Sequence, residues 1–274
     1  MANSPLLLCP TYKKRTKDGT IDFDTDTIKV ALLDNSFEII IARQNSTAYS
    51  VGDFYKDTAN YYRCVKAGTS NATPPTLTTD LTAFADGTAI FQDVGTSQFT
   101  GLGFIDIWGR TNSTVVQEGQ MYTPTTANGH WYQVTVAGTT NASEPTYKTD
   151  GTTFTDGTAT IQDMGLYSKR PKYVPDPSFS VFADVSANEI SGTGYTAGGQ
   201  DLANITISDS GVLDADDVTW LTATIAALYM VVYRSGTVNT LTDPLIAFSR
   251  LGDSQVSSTN TDFLIRWNTQ GIID

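Results

Sequence analysis

The chain has 274 residues, enough for two or three domains, and 40% of them are hydrophobic, enough to bury a sizeable core. Only 17% are charged and the formal net charge is −12, which argues against a phosphate-binding surface built from clustered Lys and Arg, so no nucleic-acid partner is expected. Abundant Thr, Ser, Asn, Asp and Gly suit short strands joined by polar turns, and the chain is predicted to be all-β with almost no long helix.

From the amino terminus, the apolar run before Cys9 is too short for a signal-peptide core and no basic segment precedes it. No stretch approaches the length of a membrane span, so no membrane partner is expected. Cys9 and Cys64, the only cysteines, fall in different predicted domains, which argues against a disulfide framework and suits assembly in a reducing cytosol. The basic run Lys13, Lys14, Arg15, Lys17 stands out in an acidic chain; it reads as a solvated arm and as a candidate docking arm for an acidic neighbour in an assembly. Residues 26–33 alternate Ile28, Val30 and Leu32 against Lys29, predicting a half-buried strand.

A duplicated module follows. Residues 67–95 recur as 137–165 with 18 of 29 positions identical, where ordinary residue usage gives roughly two. Upstream, Arg43–Thr47 matches Arg110–Thr114 at an offset of 67, so a three-residue insertion sits near Asn128, Gly129 and His130 in the second copy. Phe37–Arg43 and Phe104–Arg110 are predicted to open the modules as strands, and Asp86-Gly87 and Asp156-Gly157 mark tight turns because Gly tolerates positive φ. Two copies are too few to stack as a solenoid. The proline-rich stretch after Gly165 reads as a returning linker. Beyond it, apolar stretches at 202–207, 224–233, 245–248 and 263–267 predict an all-β C-terminal part. The run 224–233 lacks alternation and reads as a strand buried on both faces, with a short buried helix left open by period alone.

Catalytic signatures are sparse. His130 is the only histidine and nothing flanks it like a nucleophile elbow, no motif fixes two carboxylates for glycoside hydrolysis, and no phosphate-cradling or dinucleotide fingerprint occurs. The acidic runs Asp22, Asp24, Asp26 and Asp214, Asp216, Asp217 lack calcium-loop spacing and read as turn or strand-edge residues, so neither metal nor cofactor is expected. The best candidate binding surface is aromatic. Tyr49, Tyr55, Tyr61, Tyr62, Tyr122, Trp131 and Tyr132, with the carboxylate of Asp53, are candidate glycan-binding residues, because a sugar ring packs its C–H face on an aromatic ring while polar side chains take hydroxyls. The competing reading makes these rings module core. The second copy carries Gln120 in place of Asp53, which weakens its case as a sugar binder.

The segments Asp24–Leu33 and Phe182–Gly199, followed by Asp216–Trp220 and the late Trp267-Asn268 pair, resemble a family of small tailed-bacteriophage virion structural proteins. In that family the first two motifs lie close together; here residues 37–172 stand between them. The resemblance implies a split β-sandwich-like anchor domain (1–36 plus 173–274) with two tandem small β modules inserted in a loop (37–98 and 104–166) and a return linker at 167–172. Insertions of this kind succeed at exposed loop tips. The modules resemble β modules of phage tail and fibre proteins, and distantly the chitin-binding type of carbohydrate-binding module. The function implied is a non-enzymatic structural protein of the virion, assembled in the host cytoplasm: a capsid decoration or head-fibre component with projecting modules, oligomeric on the particle. Its partners would be major capsid or tail proteins. The alternatives are a tail or baseplate adhesin or adaptor recognising host or environmental polysaccharide and, less favoured, a glycan-degrading enzyme.

Overall fold

In the computed structural model, the described residues are 6–57, 59–96, 105, 107, 109–173, 175, 178–209, 212–252 and 254–267. The fold is all-β, with one short α-helix among the described residues. The described residues divide into two compact units, one drawn from Met1–Ile39 and Val174–Asp274, the other from Ile40–Thr100 and Phe104–Tyr173.

The first unit is built on a five-stranded antiparallel sheet in the order Leu7–Leu8, Leu245–Arg250, Tyr229–Arg234, Ile28–Leu33, Gln200–Asp201. Ile28–Leu33 is therefore an interior strand, paired along its whole length with Tyr229–Arg234. Instead of the half-buried strand that alternation predicts, all of its residues but Lys29 are buried, because both faces of the sheet are covered. Lys29 escapes by pairing with Asp201 at 3.0 Å. On one face, Ile28, Val30 and Leu32 join Met230, Val232 and Ile246 in a core completed by the long hairpin Val218–Ala227 with Val256–Ile265. A bulge between Trp220 and Ala223 shifts the inward parity, so that Val218, Trp220, Ala223, Ile225 and Ala227 all reach the core. On the other face Phe37 packs 5.4–5.5 Å from the rings of Tyr229, Phe179 and Phe248.

The run 224–233 is not one strand. It breaks at Leu228, its first half belonging to the hairpin and its second to the sheet, where Tyr229–Tyr233 are all buried. The apolar stretch at 202–207 is largely irregular, with strand only at Thr206–Ile207. Phe37–Arg43 forms no strand, since it finds no ladder partner beyond an isolated bridge from Ala42 to Lys56. In the corresponding stretch of the second copy, Phe104, Asp106 and Trp108 lie outside the described residues, and Gly109 bridges Thr123 in the equivalent way.

In the second unit the two copies share one strand order. Phe54–Asp57, Asn60–Lys66, Ala89–Asp93 and Ala83–Asp86 form the first antiparallel sheet, in which Ala83–Asp86 lies at the edge; Met121–Tyr122, His130–Val136, Ala159–Leu166 and Thr153–Asp156 form the second in the same order. A small ribbon accompanies each, Ala48–Tyr49 with Gly68–Thr69 and Val115–Val116 with Gly138–Thr139. The hairpins at Asp86-Gly87 and Asp156-Gly157 are equivalent, and a Cβ on Gly87 or Gly157 would lie 2.1 or 2.0 Å from a carbonyl oxygen of the ribbon. Unit boundaries differ by a few residues from those the sequence suggests. Phe37 and Ile39 are buried in the first unit, while Tyr173 packs in the second, 4.9 Å from Phe54. The stretch 167–172 is integrated rather than a bare linker: Tyr167–Lys169 forms a 3₁₀ turn and Arg170 Nε donates to Ile105 O at 2.7 Å.

Candidate functional site

The aromatic set expected to stack on sugars is the interior of the modules. Tyr49, Tyr55 and Tyr62 pack with Phe84 and Phe91 in the first core; Tyr122 and Tyr132 pack with Val134 and Ile161, flanked by Tyr147 and Phe154, in the second. Ring pairs sit 4.8–6.1 Å apart, mostly tilted or edge-on, as aromatic quadrupoles prefer. Tyr61 and Trp131 lie on the opposite face of their strands yet are buried as well; Tyr173 covers Tyr61 edge-on at 6.0 Å. All seven rings are less than a tenth exposed, so none offers an open face to a ligand; the expected stacking surface is corrected to module core for Tyr49, Tyr55, Tyr62, Tyr122 and Tyr132 and to buried rings on the opposite face for Tyr61 and Trp131. The physical reason is composition: with few Leu or Ile, the modules fill their interiors with rings.

Asp53 does not face a ligand either. Its carboxylate accepts from Ser50 N at 2.6 Å and closes the turn Ser50–Asp53, and Gln120 does the same with Gln117 N at 3.2 Å. Replacement of Asp53 by Gln120 thus conserves a turn function.

Beneath the aromatic layer each module holds a buried ion pair. Arg43 grips Asp86 through Nε and Nη2 at 2.7 and 2.8 Å, and Arg110 grips Asp156 at 2.5 and 2.8 Å. The spare lone pair of each carboxylate takes a backbone N–H, from Asn71 or Asn141, at 2.9 Å, and the spare guanidinium N–H groups reach the carbonyls of the same residues. Hydrogen bonding to the carboxylate raises both guanidinium pKa values against the opposing effect of burial. Burial, reinforced by the neighbouring Asp86 and Asp156 charges, pushes the Tyr55 and Tyr122 hydroxyls far above the ordinary phenol range. Sequence inspection passes over this pair, although its signal is present: both charges recur at equivalent places in both copies.

His130 occupies the place of Asn60. His130 Nδ1 is 2.8 Å from Asp163 Oδ1, as Asn60 Nδ2 is 2.9 Å from Asp93 Oδ1, and Asp163 also accepts from Gly151 N and Gly165 N. Burial raises the Asp163 carboxyl, but these hydrogen bonds outweigh it and hold the pKa below the usual carboxylate value. The histidine is a loop fastener replaceable by an amide.

The basic run divides. It forms the helix Tyr12–Lys17, on which Lys13, Lys14 and Lys17 are exposed, Lys14 pairing with Asp18 at 2.9 Å. Arg15 is buried, donating to Ser180 O, Leu245 O and Ser180 Oγ at 2.5–3.2 Å, and is removed from the candidate arm. Acidic side chains of both runs are engaged within the fold: Asp26 pairs with Arg234, Asp22 and Asp26 cap their own loop, and Asp216 and Asp217 hold Trp267 and Asn204. Both cysteines are free and buried, and burial pushes each thiol up to about 12. Among the described residues no helix is long and apolar enough to cross a membrane.

In the first unit the segments carrying the virion-family resemblance meet. Ile190 N donates to Leu32 O at 3.0 Å, and Tyr195 OH accepts from Leu32 N at 3.0 Å while donating to Glu189 Oε1 at 2.7 Å. Gly199 passes so close to Ile28–Leu33 that a Cβ there would lie 1.9 Å from Val30 O. Asn268 of the Trp-Asn pair lies outside the described residues. Comparison with protein-family models, curated proteins and solved structures finds no match to this chain.

Proposed function

We propose that the chain is a non-enzymatic structural protein of a tailed-phage virion, a capsid decoration or head-fibre component whose first unit is its anchor and whose duplicated modules project. The observation that carries this reading is the assembly of Asp24–Leu33 with Phe182–Gly199, motifs separated by 148 residues in sequence, in one unit through Leu32, Ile190 and Tyr195. A loop insertion leaves such an anchor intact, because loop-closure cost grows only slowly with length. Polysaccharide recognition at the tail loses its proposed ring contacts with the burial of all seven aromatics.

Quantitative mass spectrometry of purified particles of the encoding phage tests the proposal. Copy number comparable to the major capsid protein is the expected result. Copy number at the level of tail proteins overturns the decoration assignment in favour of a tail component, and absence from particles overturns the virion assignment.

A further inference from the structure

The second unit contains an interface that the repeat leaves half used. The turn of the second module, Gln117–Gln120, docks on the outer sheet face of the first. Gln92 donates through Nε2 to Met121 O at 2.8 Å and accepts at Oε1 from Met121 N at 2.7 Å, so one side-chain amide acts as a strand partner for an edge residue. Gly119, at φ +87°, lies against Val65, whose carbonyl oxygen would be 2.3 Å from a Cβ. At the margin Lys66 pairs with Glu118 at 2.7 Å.

Because the modules are copies, each half of this interface exists a second time. Gln162 is the counterpart of Gln92 and is partly exposed, its Nε2 3.4 Å from Gly151 O, just as Gln92 Nε2 is 3.2 Å from Leu81 O. The turn Ser50–Asp53 is the counterpart of the docked turn, closed by the same backbone bond from its fourth to its first residue. Gly52 has the same left-handed conformation, φ +99°, with only an Arg63 side-chain nitrogen within 4 Å of a Cβ position. Where the internal interface has Lys66 opposite Glu118, the two unused halves carry Val136 and Val51, 54% and 55% exposed. A cation and an anion have been replaced, on separate surfaces, by two apolar side chains that match each other.

From this we infer that a second copy of the chain docks on the second module, its Ser50–Asp53 turn seated on the Gln162 face as Gln117–Gln120 is seated on the Gln92 face, with Val51 against Val136. The contact is heterologous. It uses a different surface on each partner, so every copy keeps one free turn and one free face, and association extends into a ring or a filament.

Sedimentation velocity of the full chain up to about 1 mM, the weak end of measurable affinity, should show mass rising with concentration. Val51→Asp and Val136→Asp should each be monomeric, since each loses one half of the contact. Mixed together they should form a one-to-one dimer and nothing larger, because each retains the half the other lacks. Val136→Lys mixed with Val51→Glu keeps one Val51–Val136 contact and adds a second that copies the internal Lys66–Glu118 pair, so this mixture should extend beyond the dimer, and it serves if either aspartate variant loses its cooperative melt. A wild-type chain that stays monomeric throughout, self-association that survives both aspartate substitutions, or mixtures that remain monomeric in both variant pairs would overturn the inference.

Discussion

Arg110 and Asp156 form a two-bonded ion pair, 2.5 and 2.8 Å, in which neither side chain is reached by solvent. Removing one partner of such a pair strands a buried charge, which costs roughly 3–5 kcal/mol. Asp156→Ala is therefore expected to lose about that much stability in urea unfolding. Arg110→Met combined with Asp156→Leu should lose less than the sum of the single substitutions; strict additivity would show that the pair is not coupled.

Glycines of similar φ should differ sharply. Gly129 has φ +81° and nothing within 4 Å of a Cβ position, so Gly129→Ala should cost about 1–2 kcal/mol, the left-handed penalty alone. Gly157 has φ +64° but a Cβ there would be 2.0 Å from Thr139 O. Gly157→Ala should exceed Gly129→Ala by at least about 1 kcal/mol, the lower range for overpacking. Equal melting temperatures would refute the close approach.

His130→Asn should leave stability nearly unchanged, since Asn60 does the same task in the first module, whereas His130→Ala removes a bond from a buried carboxylate and should cost about 1.5–3 kcal/mol. The Asp163 pKa is depressed on folding, so its contribution is present above the unfolded value near about 3.9 and is lost as pH falls through the lower folded value. Stability of the second unit should therefore fall with acid below about pH 4, and Asp163→Asn should flatten that slope. A slope unchanged in the variant would locate the effect elsewhere.

Excision of the inserted unit should succeed or fail according to where it is cut. Joining Ile39 to Val174 keeps Phe37 on Phe179, Tyr229 and Phe248 and should give a cooperatively melting first unit. Joining Ser36 to Tyr173 deletes Phe37 and should cost about 3–5 kcal/mol, the range for truncating a buried Phe. Equal stability of the two excised forms would mean that Phe37 contributes nothing to its ring cluster.

Local signals carried much of the architecture. The duplication, the Asp-Gly hairpins and the apolar runs at 28–33 and 245–248 are legible because period and turn chemistry act over a few residues. What distant parts of the chain decide is not legible in this way. Tyr61 and Tyr62 are adjacent and so point to opposite faces, and alternation alone would leave one of them open; Tyr173, far along the chain, covers Tyr61. Arg15 resembles its lysine neighbours until Ser180 and Leu245 supply acceptors from 165 and 230 residues away. Phe37–Arg43 has strand-like composition but no ladder to join, and 224–233 is divided at Leu228 by the needs of two different sheets.

The position of Ile28–Leu33 between Gln200–Asp201 and Tyr229–Arg234 also sets an order of events at the ribosome. This strand is made early, but its full-length neighbour is complete only about 200 residues later, a wait of roughly 10–40 s at synthesis rates of about 5–20 residues per second. Both modules, whose ladders close over short sequence distances, finish emerging within that interval. The nascent chain thus carries two folded modules while an apolar strand with neither neighbour remains exposed, and it is during this interval that the strand is most open to aggregation or to capture by a chaperone.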